Sequence, residues 1–414
     1  CYLSVIETRG LRLKDIHTNV VEILRGLGGH PATPFFEGGP ARYISRKLDE
    51  IGIPYHLDGF GNIVARLCTS EEPGCNPIAF VAHMDHPGFE ITQIEASKAL
   101  AHAVGGIPVI SLVAPTPIDV ITPDGRVPGV TARHETTQDP RDRNSRRLVW
   151  VNLESELDIE LPVPAVFDLP DFDLQGQHIR MRALDDLAGC AAILAVLEGL
   201  SESMSSFDSL SSGQDLKRST LPAQQDIDLY GVFTRAEEEG LLGARLMAQA
   251  EVLPIDTLVV SIEASAVIPG ISIGEGPVIR TGDAAYTFDA ETEQVLTVAS
   301  EILKDRDSDF KVQRQLMSGG VCEATAFALN GYKTTGLAFP LGNYHNATTQ
   351  IMDLDGGIDS EYIAMSDFLG GVDLLSEAAI SVSRRYESKA RRWIKEIDVP
   401  DKVRKRLVYT RDRY

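Results

Sequence analysis

Compact apolar runs that recur between amphipathic stretches constrain this chain more than any other feature. Pro77-Ile78-Ala79-Phe80-Val81-Ala82 shows no polar alternation, as expected for a strand buried on both faces. Similar strands are predicted at about Asp228–Thr234, Thr257–Ile262 and Thr334–Phe339, with shorter ones around Tyr55–Leu57 and Asn62–Arg66. Helical spacing runs from Leu11 to about Leu27, ending at Gly28-Gly29, and from Pro40 to Ile51, ending at Gly52. It returns from about Leu187 to Leu200, near Gly240–Ala250 and near Glu291–Lys304. Strands alternating with helices predict an α/β fold: a mixed, mainly parallel sheet covered by helices on both faces.

Residues 94–177 break this rhythm. They are rich in Val, Ile, Pro and Gly, with short alternating runs such as Leu148–Leu153 and one polar loop, Thr136 to Arg147. They read as a small β-rich domain inserted between 1–93 and 178–414, which together form the α/β domain. The Ser-, Asp- and Gln-rich stretch 201–225 reads as a surface loop.

Charge narrows the function. The 414 residues carry 60 acidic and 39 basic side chains, a formal net charge of −21. Such a surface repels phosphate, which argues against a nucleic-acid binder. No apolar run approaches the roughly 20 residues of a bilayer span, so no membrane partner is expected. Residues Arg384 to Tyr414 hold twelve basic and five acidic residues, a net of +7, which leaves −28 for the rest. This tail reads as a solvated basic helix packed on an acidic body, with a subunit contact as the functional alternative. Cysteines at 1, 68, 75, 190 and 322 are odd in number and scattered. They read as free buried thiols in a reducing, cytoplasmic setting. No signal peptide is visible, although the chain begins at Cys1.

In open α/β sheets, sites form beyond the carboxyl ends of strands. His83 and Asp85 follow the run 78–82. Glu237, Glu238 and Glu239 follow 229–234, and Glu263 follows 258–262. His345 lies shortly after 335–339, and Asp185-Asp186 opens a helix. Each feature has a bland reading alone, such as a helix N-cap for the aspartates or a solvated helix start for the glutamates. Together they supply what two zinc-like ions need: two imidazoles, several carboxylates and one short Asp able to bridge. We assign Asp185 as the bridge, His83 and Glu263 to one ion, and Glu238 and His345 to the other. Asp85 would accept the free ring N–H of His83. Glu237, beside a ligand, would be the general base. His86 at the mouth would either contact substrate or pack. The histidines at 17, 30, 56, 102 and 178 lack such a context. His134-Glu135-Thr136-Thr137-Gln138 lacks the second His of HExxH, and no GxxxxGK[ST] phosphate loop occurs.

At these residues the chain resembles the glutamyl-aminopeptidase-like (tetrahedral aminopeptidase) family of dinuclear metallopeptidases. The family's AHMDE-type block corresponds to Ala82-His83-Met84-Asp85-His86, and its DDR-type block to Asp185-Asp186-Leu187. Its TxQEExGLxGA block corresponds to Thr234-Arg235-Ala236-Glu237-Glu238-Glu239-Gly240-Leu241-Leu242-Gly243-Ala244, and its late loop His to His345. Ile273-Gly274-Glu275-Gly276-Pro277-Val278-Ile279 matches an IGxGPxI segment. The order of blocks, with the β-rich insert between the His83 and Asp185 blocks, favours this family over the acetylornithine-deacetylase-like one. The resemblance implies His83, Asp185, Glu238, Glu263 and His345 as metal ligands, Glu237 as base, and a cis peptide between Asp185 and Asp186. His86, Leu187, Ala236, Glu263 and Glu323 depart from the family's usual residues.

These readings predict a dinuclear metal-dependent aminopeptidase. Two divalent cations, zinc with cobalt or manganese as alternatives, would share a bridging water that Glu237 activates. The substrate would be a peptide's N-terminus, and the family implies a homo-oligomer, either a dimer or a twelve-subunit shell. Alternative readings are a dinuclear amidohydrolase acting on small N-acyl compounds and a non-catalytic assembly module.

Overall fold

A computed structural model describes residues 16–69, 77–132, 147–211 and 227–411. An eight-stranded mixed sheet forms the centre. Its order is Tyr55–Leu57, Ile63–Cys68, Asp228–Thr234, Ile78–His83, Leu258–Ala266, Lys333–Leu341, Val278–Gly282 and Gln313–Leu316. Asp228–Thr234, Ile78–His83, Leu258–Ala266 and Lys333–Leu341 run parallel. Antiparallel pairings flank this group on both sides.

The continuous apolar runs explain why these strands are central. Ile78, Phe80 and Ala82 point into one core, while Ala79 and Val81 point into another. The first core is covered by the helices 16–28, Gly38–Glu50, Leu187–Ser211, Ala290–Arg306 and Met365–Ser381. The second is covered by Leu242–Gln249 and Glu323–Ala328. Burying both faces fills most strand positions with apolar side chains, so charged groups are displaced toward the strand ends.

The helix from Leu187 continues to Ser211, well into the stretch read as loop. Its Ser-rich final turns carry little apolar periodicity, so the sequence hid them; residues 212–226 lie outside the described residues. The predicted start of the first helix, 11–15, and most of the polar loop 136–147 also lie outside them.

The β-rich segment closes into a six-stranded barrel: Gly88–Glu95, Lys98–Val104, Leu148–Leu153, Gly125–Ala132, Pro117–Thr122 and Val163–Phe167. Its strands thus run from Gly88 to Phe167, against a sequence estimate of 94–177. Gly88–Glu95 alternates poorly, since its second half is mostly solvated, which masked its start. Asp173–Gln175 and His178–Met181 instead form a three-stranded sheet with Glu361–Ala364. Phe89, Ile91, Ile118, Val120, Val149, Val151 and Phe167 fill the barrel.

Cys190 and Cys322 are buried, but Cys68 is exposed on an outer strand, contrary to the expectation of buried thiols. Cys1 and Cys75 lie outside the described residues. No helix among the described residues is long and apolar enough to cross a membrane.

Candidate metal centre

The parallel register aligns the ends of neighbouring strands. Thr234 pairs beside His83, and Glu263 lies on the next strand over. His83, Asp185, Glu238, Glu263 and His345, distant in sequence, therefore converge. Ligand atoms of His83, Asp185 and Glu263 lie within 4.8 Å of one another, as do those of Asp185, Glu238 and His345. A third such group joins His83, Glu237 and Glu238. The two oxygens of Asp185 face different histidines. Oδ1 is 3.5 Å from His83 Nε2, and Oδ2 is 3.6 Å from His345 Nε2. Glu263 Oε2 lies 4.0 Å from His83 Nε2, and Glu238 Oε1 lies 3.1 Å from His345 Nε2. Two donors each about 2.1 Å from one tetrahedral ion would sit roughly 3.4 Å apart, so the spacing suits shared cations.

Each histidine is turned by a backbone carbonyl. His83 Nδ1 lies 3.0 Å from the Asp85 carbonyl oxygen, which leaves Nε2 for the cluster. The Asp85 carboxylate does not take the ring N–H as its spacing from His83 predicts, since its Oδ1 is 3.7 Å from the ring. It accepts instead the amides of Glu237 and Glu238, at 3.0 and 3.1 Å. The chain turns after His83, so the side chain of Asp85 faces the adjoining strand end rather than its own histidine. Asp85 thus orients His83 through its main chain and the Glu237-Glu238 turn through its side chain. His345 Nδ1 lies 3.0 Å from the Gly106 carbonyl oxygen, a group supplied by the barrel. A Cβ on Gly106 would stand 2.3 Å from that nitrogen, so only glycine allows this approach.

The Asp185-Asp186 pair divides its labour, and the peptide between them is cis. Asp186 Oδ1 accepts the Gly189 amide at 3.0 Å, as a cap of the following helix, while Asp185 faces the histidines. His86 is buried between the Asp185 carbonyl oxygen, 2.8 Å from Nδ1, and Asn346 Oδ1, 3.1 Å from Nε2. It packs behind the cluster.

Sequence reasoning missed two carboxylates that shape the site. Glu361 is fully buried; its Oε2 accepts the amides of Leu184 and Asp185, and its Oε1 that of His345. His345 has φ 55°, between Asn343 at 53° and Asn346 at 65°. Such left-handed residues persist only when neighbours hold them, and Glu361 does so here. No spacing or periodicity marks Glu361. Glu37 is likewise buried, accepting the Ala236 amide at 2.9 Å and Arg235 Nε at 2.8 Å. This fixes Ala236 at φ 49° immediately before Glu237. Glu361→Ala would leave three buried amides without an acceptor, each costing about 1–3 kcal/mol. The expected result is a thermal midpoint lower by several degrees and loss of metal binding, read by calorimetry and metal analysis. Unchanged stability would refute this role.

Electrostatics favour cations here. Burial pushes Glu263 up to about 8, and Asp185 and Glu323 add to the rise. Burial pushes Asp85 up to about 7, helped by Glu37 and Glu238. Burial also drives Glu237 well above its usual value, with Glu263 and Glu238 reinforcing it. Burial alone would raise Asp185, yet the His345 and His83 rings beside it bring it below the usual carboxylate range. Asp185 Oδ1 and His345 Nε2 are buried, and among the described residues neither has a partner in hydrogen-bonding geometry despite these close contacts. Orphaned donor atoms inside a cluster of mutually repelling carboxylates are what divalent ions would satisfy.

A sequence profile of the M42 glutamyl aminopeptidases matches residues 61–359. The chain belongs to the M42 glutamyl aminopeptidase family. Membership places it among the peptide-bond hydrolases. SgcX of Escherichia coli (strain K12) is 28% identical over 194 residues, which is 44% of this M42 chain and 52% of SgcX. The chain therefore spans about half the length of that relative. Aminopeptidase APDkam598 from Desulfurococcus kamchatkensis superposes with a TM-score of 0.68 at 21% identity, covering 90% of this chain and 98% of that one. The Pyrococcus horikoshii TET1 peptidase, which can assemble into a tetrahedron or a large octahedral shell, gives 0.65 at 23%, covering 87% and 99%. At these identities the two structures share the fold with this M42 chain.

Proposed function

We propose that this M42 chain is a dinuclear metal-dependent aminopeptidase that removes N-terminal residues from peptides. The observation that carries the reading is Asp185 facing His83 with one oxygen and His345 with the other. His83 and Glu263 would hold one divalent ion, Glu238 and His345 the other, with Asp185 shared. Zinc suits these donors, and cobalt or manganese would fit the same set. Two such ions would supply Lewis-acid polarisation of the scissile carbonyl and a lowered pKa for the attacking water.

The chain's own residues do the rest. Glu237, with Oε2 4.0 Å from His83 Nε2, takes the water's proton and delivers it to the leaving amine. Asp85 and Glu37 hold the turn that aims Glu237. A cavity of about 70 Å³ lined by Asp185, Glu263, Arg280, Met317, Cys322 and Tyr344 adjoins the cluster and would take the terminal side chain. Surplus carboxylates around it would attract the free ammonium group of an N-terminus. We divide the chain into this catalytic domain and the inserted barrel, whose Gly106 completes the site. By analogy with the shells formed by TET1, we assign a homo-oligomer, acting in the cytoplasm.

One peptide assayed with a free and with an acetylated N-terminus tests the reading. Cleavage of the free peptide alone is expected, by a factor of about 10² or more if the ammonium is recognised by a buried polar site. Preference for the acetylated form would favour the amidohydrolase alternative.

A further inference from the structure

Beyond the body, the chain ends in two helices, Lys389–Glu396 and Asp401–Thr410, rather than the single packed helix expected from the sequence. Neither buries a residue. Trp393 and Leu407 are 64% and 65% exposed, and Ile394, Ile397, Val403 and Tyr409 are exposed with them. Val403 and Leu407 are four residues apart on the second helix and form one apolar stripe, while Trp393 and Ile394 adjoin on the first, with Ile397 just past its end. A cleft of about 500 Å³ opens beside the first helix, lined by Tyr386, Ala390, Arg391, Ile394 and Lys395. The first of these helices is tied to the body at its start, where Lys389 meets Glu301 and Asp305. Isolated helices shorter than about 12–15 residues are marginal in water, so helices of eight and ten residues call for a covering partner.

Charge selects the partner. Arg391, Arg392, Lys395, Lys402, Arg404, Lys405 and Arg406 surround the apolar stripes. The chain outside the tail carries −28 and would be repelled by nucleic acid or an anionic bilayer, yet attracts this tail. Its barrel also displays Glu154, Glu156, Asp158 and Glu160, all exposed and without an ion pair among the described residues. We propose that the two C-terminal helices dock on the acidic surface of a second copy of this chain. The apolar stripes supply the buried contact, and the basic residues set its orientation. This contact rests on the homo-oligomer assigned above and identifies one surface that makes it.

The test mixes isotopically heavy and light full-length chains that carry a photo-crosslinking amino acid in place of Ile397. Heavy–light cross-links to acidic surface peptides are expected. The added double substitution Trp393→Asp, Leu407→Asp should cut their yield about five-fold or more, and so should salt near 0.5 M, which shortens the screening length. An oligomer whose tail cross-links remain within one chain overturns the tail contact alone. A monomer by light scattering, without heavy–light cross-links, overturns the homo-oligomer as well. A monomer whose tail binds anionic vesicles assigns the surface to a membrane and overturns the proposal.

Discussion

A Glu237→Gln variant is expected to lose about three orders of magnitude in kcat while retaining its divalent ions, within the range general acid–base catalysis supplies. Gln keeps the size and the backbone amide that Asp85 holds, so the turn should survive. What it removes is the capacity to take a proton. Burial and the carboxylates of Glu263 and Glu238 raise the proton affinity of Glu237, which strengthens it as a base toward the water. KM should change little, because the amide still fills the same volume. Turnover of an aminoacyl anilide and metal content by plasma spectrometry are the two measurements. Undiminished kcat would remove Glu237 from the mechanism. Lost metal would make it a ligand, a reading its place in the His83–Glu237–Glu238 group makes worth measuring.

Removing divalent ions with a chelator is expected to abolish turnover and to lower the thermal midpoint, by an amount that grows with pH. Ions bound only to the folded state at about 1,000 times their Kd would stabilise it by about 4 kcal/mol. Once they are gone, the folded carboxyls at Glu263, at about 8, and Asp85, at about 7, stand above their unfolded values. Between the unfolded and folded values the native state binds more protons than the unfolded state. Stability from these groups therefore falls as pH rises through that window. The metal-free midpoint should decline from about pH 5 to about pH 8, and restoring the ions should remove most of the decline. Calorimetry across that range with and without zinc would decide; parallel curves would mean that the carboxylates are not the ion site.

The central strands were legible because burial on both faces leaves a composition no loop tolerates, as in Ile78–Ala82. The polar groups at their ends stood out against those runs, which is why His83, Glu237, Glu238, Glu263 and His345 could be assembled before any coordinates. Asp85 marks the limit of that reasoning. Its proximity to His83 suggested a carboxylate partner, but a turn sends its oxygens to the amides of Glu237 and Glu238. Glu361, Glu37 and Gly106 were invisible for a related reason. Each acts on backbone from a segment far away in sequence, and a single buried Glu or Gly carries no periodic mark.

The α/β layering and the identity of the groups that gather at the strand ends follow from the order of residues alone, because hydrophobic periodicity and residue chemistry are local properties. Which oxygen of Asp185 faces which histidine, which carbonyl lies against each ring, and the reach of the barrel to His345 emerge only on folding. Those choices depend on where separate segments pack against one another in three dimensions. The unpaired stripes of the tail belong to the same class. Their composition was plain in the chain, but their exposure among the described residues became visible only in the folded molecule.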